Sequence, residues 1–156
     1  MYTLNPGDKA PAFSLKNQIG KKISLKDFLG KKVVIFFYPQ DSTPTCTVEA
    51  CNLRDNYSLL TQHGIEVVGI SPDDTTSHER FHSKQNLPYT LLADTDKKVI
   101  DKYGVWGEKN MYGKKYMGLL RTTFLINEKG VIDAVIRKVK SADHSQQILT
   151  VWKAVK

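Results

Sequence analysis

Cys46 and Cys51 are the only two cysteines in this 156-residue chain, and they lie five positions apart in "FFYPQDSTPTCTVEAC", residues 36 to 51. Two thiols at this spacing admit four chemistries: a structural disulfide, part of a metal site, a pair of buried apolar thiols, or a reactive pair. "STPT" ahead of Cys46 has the form of a helix start. Thr43 can serve as N-cap, and Pro44 takes the first helical position, where its missing N–H costs nothing. Cys46 then falls in the first turn, where unpaired backbone N–H groups and the positive end of the helix dipole favour a thiolate and predict a lowered thiol pKa.

Inside an intact helix the two thiols cannot meet. Five residues give a rise of about 7.5 Å and a rotation of about 140°, so the Cα atoms are roughly 8.6 Å apart. A disulfide tolerates at most about 7 Å, with converging Cβ vectors. Either the pair never bonds or bonding requires the first turns to unwind. Metal binding is disfavoured, because a tetrahedral thiolate site needs four ligands and the other candidates, His63, His78, His82 and His144, lie elsewhere. Buried thiols remain open: the polar helix start argues against burial of Cys46, whereas Cys51 can share an apolar face with Val48 and Leu53. His78 to His82 spells "HERFH", a literal match to the zinc pattern H-E-x-x-H. Its segment "TTSHERFHSKQN" is short and polar, with Phe81 as its core anchor, and reads as a surface helix.

The elements that position the thiols follow from the apolar pattern. Val33 to Tyr38, "VVIFFY", is a continuous β-branched and aromatic run between Gly30 and Pro39, the pattern of a strand buried on both faces. Ile65 to Ile70 and Thr122 to Ile126 are similar runs, and the turn "NEKG", Asn127 to Gly130, leads into an antiparallel strand over Val131 to Val139. Helical periodicity covers Pro44 to Gln62, Thr75 to Asn86, Asp96 to Tyr103 and Ala142 to Val155. Buried strands alternating with helices, closed by a C-terminal hairpin, make a three-layer α/β sandwich with a mixed sheet. Ligands in such sheets gather beyond the carboxyl ends of the strands, and Cys46 sits just past one.

Composition narrows the function classes. The chain is long enough to bury a core without staples, and no linker or repeat divides it, so one domain over residues 1–156 is expected. Hydrophobic residues make up 40% and charged residues 25%, with no stretch resembling a membrane span. The N-terminus carries no secretion-signal pattern, which predicts a cytoplasmic protein in which a resting structural disulfide is out of place. The net charge of +7 comes from scattered lysine pairs such as Lys21-Lys22 and Lys114-Lys115, without the basic stripe of a nucleic-acid binder. No long exposed apolar element is evident, which favours a monomer.

"YPQDSTPTCTVEAC" resembles the active-site segment of the peroxiredoxins: Pro39, Thr43 and Cys46 match P-x-x-x-T/S-x-x-C. The second cysteine in "CTVEACNLRD" is similar to that of the PrxQ subfamily, also called bacterioferritin comigratory protein. "PGDKAPAFSL", "GISPDD", "LLADTDKKVIDKYGVWGEK" and "RTTFLI" extend the likeness nearly end to end. The resemblance implies a thioredoxin-like α/β/α sandwich and the reduction of hydrogen peroxide and organic hydroperoxides, with no cofactor and no metal. Cys46 would be the peroxidatic nucleophile that becomes a sulfenic acid, and Cys51 the resolving thiol that condenses with it after local unfolding. Thioredoxin or a similar dithiol would then reduce the disulfide.

Thiol acidity alone does not account for such a reaction. Lowering a cysteine pKa from about 8.5 to about 6 raises its thiolate fraction at pH 7 only about 30-fold. The remainder must come from groups that orient the peroxide and stabilise charge as the O–O bond breaks. By resemblance these are the Thr43 hydroxyl, the Cys46 N–H and the Arg121 guanidinium, with Pro39 shielding the thiolate. Glu49, one turn past Cys46, resembles a glutamate common in the subfamily, although a solvated helix carboxylate fits the sequence equally well. Thr45 departs from the T-P-G-C of relatives; a β-branched residue there stiffens the turn and predicts an altered peroxide preference or unwinding cost. The competing reading from another class is a non-catalytic redox sensor or holdase using the same thiols.

Overall fold

A computed structural model of the protein describes residues 4–155. The strands are β1 (Ser14–Asn17), β2 (Lys22–Ser24), β3 (Lys32–Phe37), β4 (Ile65–Ser71), β5 (Thr90–Ala93), β6 (Trp106–Met111), β7 (Lys114–Leu119), β8 (Thr122–Ile126) and β9 (Ile132–Ile136). The helices are α1 (Pro44–Asp55), α2 (Tyr57–Gln62), α3 (Thr75–Lys84), α4 (Lys98–Lys102) and α5 (His144–Val155). Seven strands form one sheet in the order β2-β1-β5-β4-β3-β8-β9, while β6 and β7 pair as a separate hairpin. β3, β4 and β5 run parallel, and β8 returns antiparallel along β3.

The continuous apolar run of β3 is explained by its central place. Side chains alternate across a strand, so Val34 and Phe36 enter one core while Val33, Ile35 and Phe37 enter the other. The first core is closed by Ala50 and Leu53 of α1, Leu60 of α2, Phe81 of α3, and Ile148 and Trp152 of α5. The second is closed by Val99 and Ile100 of α4 with Tyr103 and Val105. These are the three layers of the expected sandwich. Gly69, opposite Phe36 in the parallel register, leaves the room its ring needs: a Cβ there would stand 2.8 Å from Phe36 Cζ.

The β3, β4 and β8 strands match the sequence expectation within a residue at each end, β9 is shorter than expected and stops at Ile136, and three of the four helices form with shorter ends. The expected helix over Pro44 to Gln62 is instead two. It breaks at Asn56, where the side-chain amide joins the backbone N–H as a donor to the Asn52 carbonyl, at 2.9 and 3.2 Å. β1, β2, β5 and the β6–β7 hairpin carry little continuous apolar pattern and were not expected. Tyr112 and Gly113 both take positive φ, at 53° and 81°, in the two-residue turn that joins β6 to β7. Among the described residues, no helix is long and apolar enough to cross a membrane.

Candidate active site

β3 delivers the chain through Tyr38 and half-buried Pro39 into the loop that starts α1, as expected. Because β8 lies antiparallel beside β3 with Thr122 opposite Phe37, the residue just before β8, Arg121, arrives at the same end of the sheet. Its guanidinium forks across the first turn of α1. Nη2 donates to Cys46 Sγ at 3.1 Å, and Nη1 donates to Glu49 Oε1 at 2.6 Å. Cys46 and Glu49 are three residues apart and therefore on one helix face. Three sequence-selected residues, Cys46, Glu49 and Arg121, are thus brought into direct contact.

The burial of this cluster differs from the sequence expectation. Cys46, placed by the sequence at a polar and accessible start, is 1% exposed, and Glu49 is wholly buried rather than solvated. Burial pushes the Glu49 carboxyl up to about 7 against the opposing pull of Arg121. Glu49 Oε2 has no hydrogen-bond partner, so it is the oxygen free to carry the proton. It lies 3.6 Å from His144 Nε2, at the start of α5. Burial is also the main cause that lowers His144 to about 4. Its Nδ1 meets Gln147 Oε1 at 2.8 Å; that oxygen only accepts, so Nδ1 carries the hydrogen and Nε2 accepts from Thr123 Oγ1, also at 2.8 Å. A second cation, Lys109 of β6, is held below the ordinary lysine range by burial and by the charge of Arg121, with Cys46 pulling the other way.

Two helix starts show how the α1 terminus is left open. In α3 the N-cap Asp74 accepts from the N–H of Ser77, the third helical residue, at 2.8 Å. In α1 the N-cap is Thr43 and the third residue is Cys46, but Thr43 makes no side-chain cap bond. Its hydroxyl donates instead to the Gln40 carbonyl at 3.1 Å. The expected capping role of the Thr43 side chain is therefore corrected. The loop is strained at Ser42, with φ 63°, and is fastened by the buried Asp41 carboxylate, which accepts from Tyr38 and Ser77 and meets His78 Nδ1 at 2.7 Å.

His78 is correspondingly buried, so α3 is not simply the surface helix expected from "TTSHERFHSKQN". Its Nε2 faces the Leu92 carbonyl at 3.0 Å, while His82 Nε2 faces the Tyr89 carbonyl at 3.0 Å. The two imidazoles thus face carbonyls three residues apart, one in β5 and one just before it.

Cys51, on the same helix, has other company. It is half-buried and its thiol donates to Gln85 Oε1 at 3.3 Å, while Arg54 Nη1 donates to the Gln85 carbonyl at 2.8 Å. Val48, expected to share an apolar face with it, is 46% exposed. Tyr89 donates to the Ala50 carbonyl at 2.8 Å and pins the helix between the thiols. Both cysteines are free, and α1 is continuous through them. Thr45 is exposed in the first turn.

Gln85, Lys109, His144, Asp41 and His78 carry no sequence signal that marks them as site residues. His78 and His144 draw notice only as possible metal ligands, His78 also through the "HERFH" spacing, which is a different chemistry.

A thiol beside a guanidinium, at an uncapped helix start beyond a parallel strand, defines a thiol-based oxidoreductase site on a thioredoxin-like sandwich. Residues 6–135 match the AhpC/TSA family. Peroxiredoxin Bcp of Escherichia coli (strain K12) is 45% identical over 149 residues, 96% of this chain and 96% of its own. Among solved structures, the bacterioferritin comigratory protein of Xanthomonas campestris, studied for its alkyl peroxide reduction activity, superposes with a TM-score of 0.85 at 34% identity over 92% of each chain. A cysteine-to-serine mutant of PrxQ from Xylella fastidiosa superposes with a TM-score of 0.91 at 29% identity, covering 99% of this chain and 98% of its own. The chain belongs to the AhpC/TSA family and is a thiol peroxidase of the peroxiredoxin class.

Proposed function

We propose that Cys46 is the peroxidatic nucleophile and Cys51 its resolving partner in a thioredoxin-dependent, atypical two-cysteine cycle acting on hydrogen peroxide and alkyl hydroperoxides. The observation that carries this reading is the Arg121 fork, which sets a positive charge 3.1 Å from the Cys46 sulfur. The Cys46 thiolate attacks the terminal oxygen of the hydroperoxide. An S–O bond forms, the O–O bond breaks, and the departing alkoxide or hydroxide takes a proton to leave as alcohol or water. Arg121 and the Cys46 N–H stabilise the charge that develops on the oxygens. Thr43, its own proton committed to Gln40, offers oxygen lone pairs to the O–H of the substrate. Pro39 limits access of water to the sulfur, and Glu49 fixes the Arg121 fork.

The resolving step needs α1 to open. Cys51 must leave Gln85, and the anchors from Tyr89 and Arg54 must release, before its sulfur reaches the Cys46 sulfenic acid. The two sulfurs then bond, with loss of water. A dithiol such as thioredoxin reduces the disulfide by exchange and is itself oxidised. Thr45, at the position where the resemblance leads one to expect glycine, raises the cost of that opening. The chain works as a single-domain cytoplasmic monomer, since both thiols of the cycle lie in one helix and the cycle needs no second copy of the chain.

The test is peroxide consumption with excess dithiol reductant. The wild type turns over many equivalents, Cys46→Ser none, and Cys51→Ser stops after one. Consumption that ends at one equivalent in the wild type would instead mark a redox sensor. Full activity in Cys46→Ser would overturn the assignment of the nucleophile.

A further inference from the structure

The peptide unit joining Gln40 to Asp41 is held at both polar ends. Its N–H donates to Asp73 Oδ2 at 2.7 Å, and its carbonyl accepts the Thr43 hydroxyl at 3.1 Å. Asp73 is fixed in turn by Ser71, whose hydroxyl donates to the same Oδ2 at 2.7 Å and accepts from the Asp73 amide at 3.2 Å. Ser71 is the buried last residue of β4, so this support comes from the strand next to β3. The Asp41 side chain is separately locked by Tyr38, Ser77 and His78 at 2.6, 2.8 and 2.7 Å. With the Asp41 side chain anchored, the 40–41 peptide plane cannot turn without losing both the Asp73 bond to its N–H and the Thr43 bond to its carbonyl.

An N–H that donates to a carboxylate makes a charge-assisted bond and polarises its own peptide carbonyl toward a stronger acceptor. That carbonyl is the one holding the Thr43 proton. A threonine hydroxyl can rotate to donate in several directions. Here its proton is directed to the Gln40 carbonyl, and its oxygen accepts no cap bond from the α1 backbone.

We propose that Asp73 is a positioning residue for the peroxide, acting through the Gln40–Asp41 peptide and the Thr43 hydroxyl without touching substrate or thiol. It commits the Thr43 proton to Gln40, so that Thr43 Oγ1 accepts the O–H of the hydroperoxide and aligns its O–O bond. This rests on the role given to Thr43 above.

The experiment compares second-order rates of Cys46 oxidation by hydrogen peroxide and by cumene hydroperoxide with the rate of Cys46 alkylation by iodoacetamide, whose reaction needs no oriented hydroperoxide. The variants are Asp73→Ala, Asp73→Asn, Thr43→Val and Asp73→Ala with Thr43→Val. Asp73→Ala is expected to slow both peroxide reactions about 10-fold, the rate equivalent of one hydrogen bond, and to change alkylation less than about twofold. Asp73→Asn, which keeps an oxygen for the Asp41 amide but not the charge, recovers part of the loss. On the Thr43→Val background, Asp73→Ala costs less than about twofold more, because the coupled group is gone.

An unchanged peroxide rate in Asp73→Ala, with Thr43→Val slow, overturns the relay and leaves the role of Thr43 standing. An equal loss on both backgrounds, or a parallel loss of alkylation, overturns it in favour of a purely structural role. An unchanged rate in Thr43→Val overturns both.

Discussion

Cys46 and Cys51 share one helix, yet Cys46 is 1% exposed with a guanidinium at 3.1 Å, whereas Cys51 is half-buried with an amide oxygen at 3.3 Å. The helix supplies the spacing and other elements supply the chemistry. Arg121 comes from the edge of β8, where an antiparallel return along β3 brings it in from 75 positions away. Gln85 comes from the end of α3. A positive charge favours a thiolate, whereas an oxygen that only accepts favours a thiol that keeps its proton. One helix thus sets one sulfur beside a cation and the other beside a hydrogen-bond acceptor.

Removing the charge should erase the difference most strongly. Arg121→Met is expected to lower the peroxide rate about 100- to 1,000-fold, the range found when a preorganised donor to a developing oxyanion is lost. Stopped-flow oxidation of Cys46 measures it. A loss under about tenfold would mean that the two thiols do not owe their difference to Arg121.

A second prediction concerns the buried pair behind Cys46. Unfolded at pH 5.5, Glu49 is ionised and His144 protonated; folded, Glu49 keeps its proton and His144 stays neutral, so folding moves a proton between them without changing the total. Glu49, raised from 4.5 to about 7, contributes stability that is present below 4.5 and lost as the pH rises to about 7. His144, lowered from 6.5 to about 4, contributes stability that is present above 6.5 and lost as the pH falls to about 4. The slopes cancel in the wild type. Relative to it, Glu49→Gln should gain stability as the pH rises across this window and His144→Gln should lose it, each by on the order of 3 kcal/mol. Urea denaturation across the window checks the opposed signs. Parallel slopes for the two variants would break the account.

The smallest effect lies at the other thiol. Gln85→Leu removes an S–H···O contact, a weak bond, and should speed disulfide formation about twofold while leaving Cys46 oxidation unchanged. Following the disulfide after a peroxide pulse tests this; slower formation would show that Gln85 guides Cys51 rather than restraining it.

What could be read from residue order was the framework. Strands buried on both faces announce themselves as unbroken runs, which is why β3, β4 and β8 were legible, and "STPT" marked the start of α1. The spacing argument against a disulfide in an intact helix agrees with two free cysteines on a continuous α1. The environment of the thiols was not legible, because tertiary packing decides it. Nothing local distinguishes Arg121 from Arg54 as a partner for Cys46; only the family resemblance selected it. Glu49 and His144 stand in polar segments and are buried by elements far away in sequence. Thr43 reads as a capping residue by type, but the neighbouring Gln40 carbonyl takes its proton. The β6–β7 hairpin, with its exposed Tyr112, Tyr116 and Met117, lacks the apolar alternation that reveals a strand.

The most direct test of the unequal thiols is intact-mass analysis after one equivalent of hydrogen peroxide, for wild type and Cys51→Ser. The wild type should lose two hydrogens as Cys46 and Cys51 join, and Cys51→Ser should gain a single oxygen that dimedone traps on Cys46. Oxygen retained at Cys51 in the wild type, or a Cys51→Ser protein that peroxide leaves unmodified, would contradict the assignment of Cys46 as the sulfur that meets the peroxide.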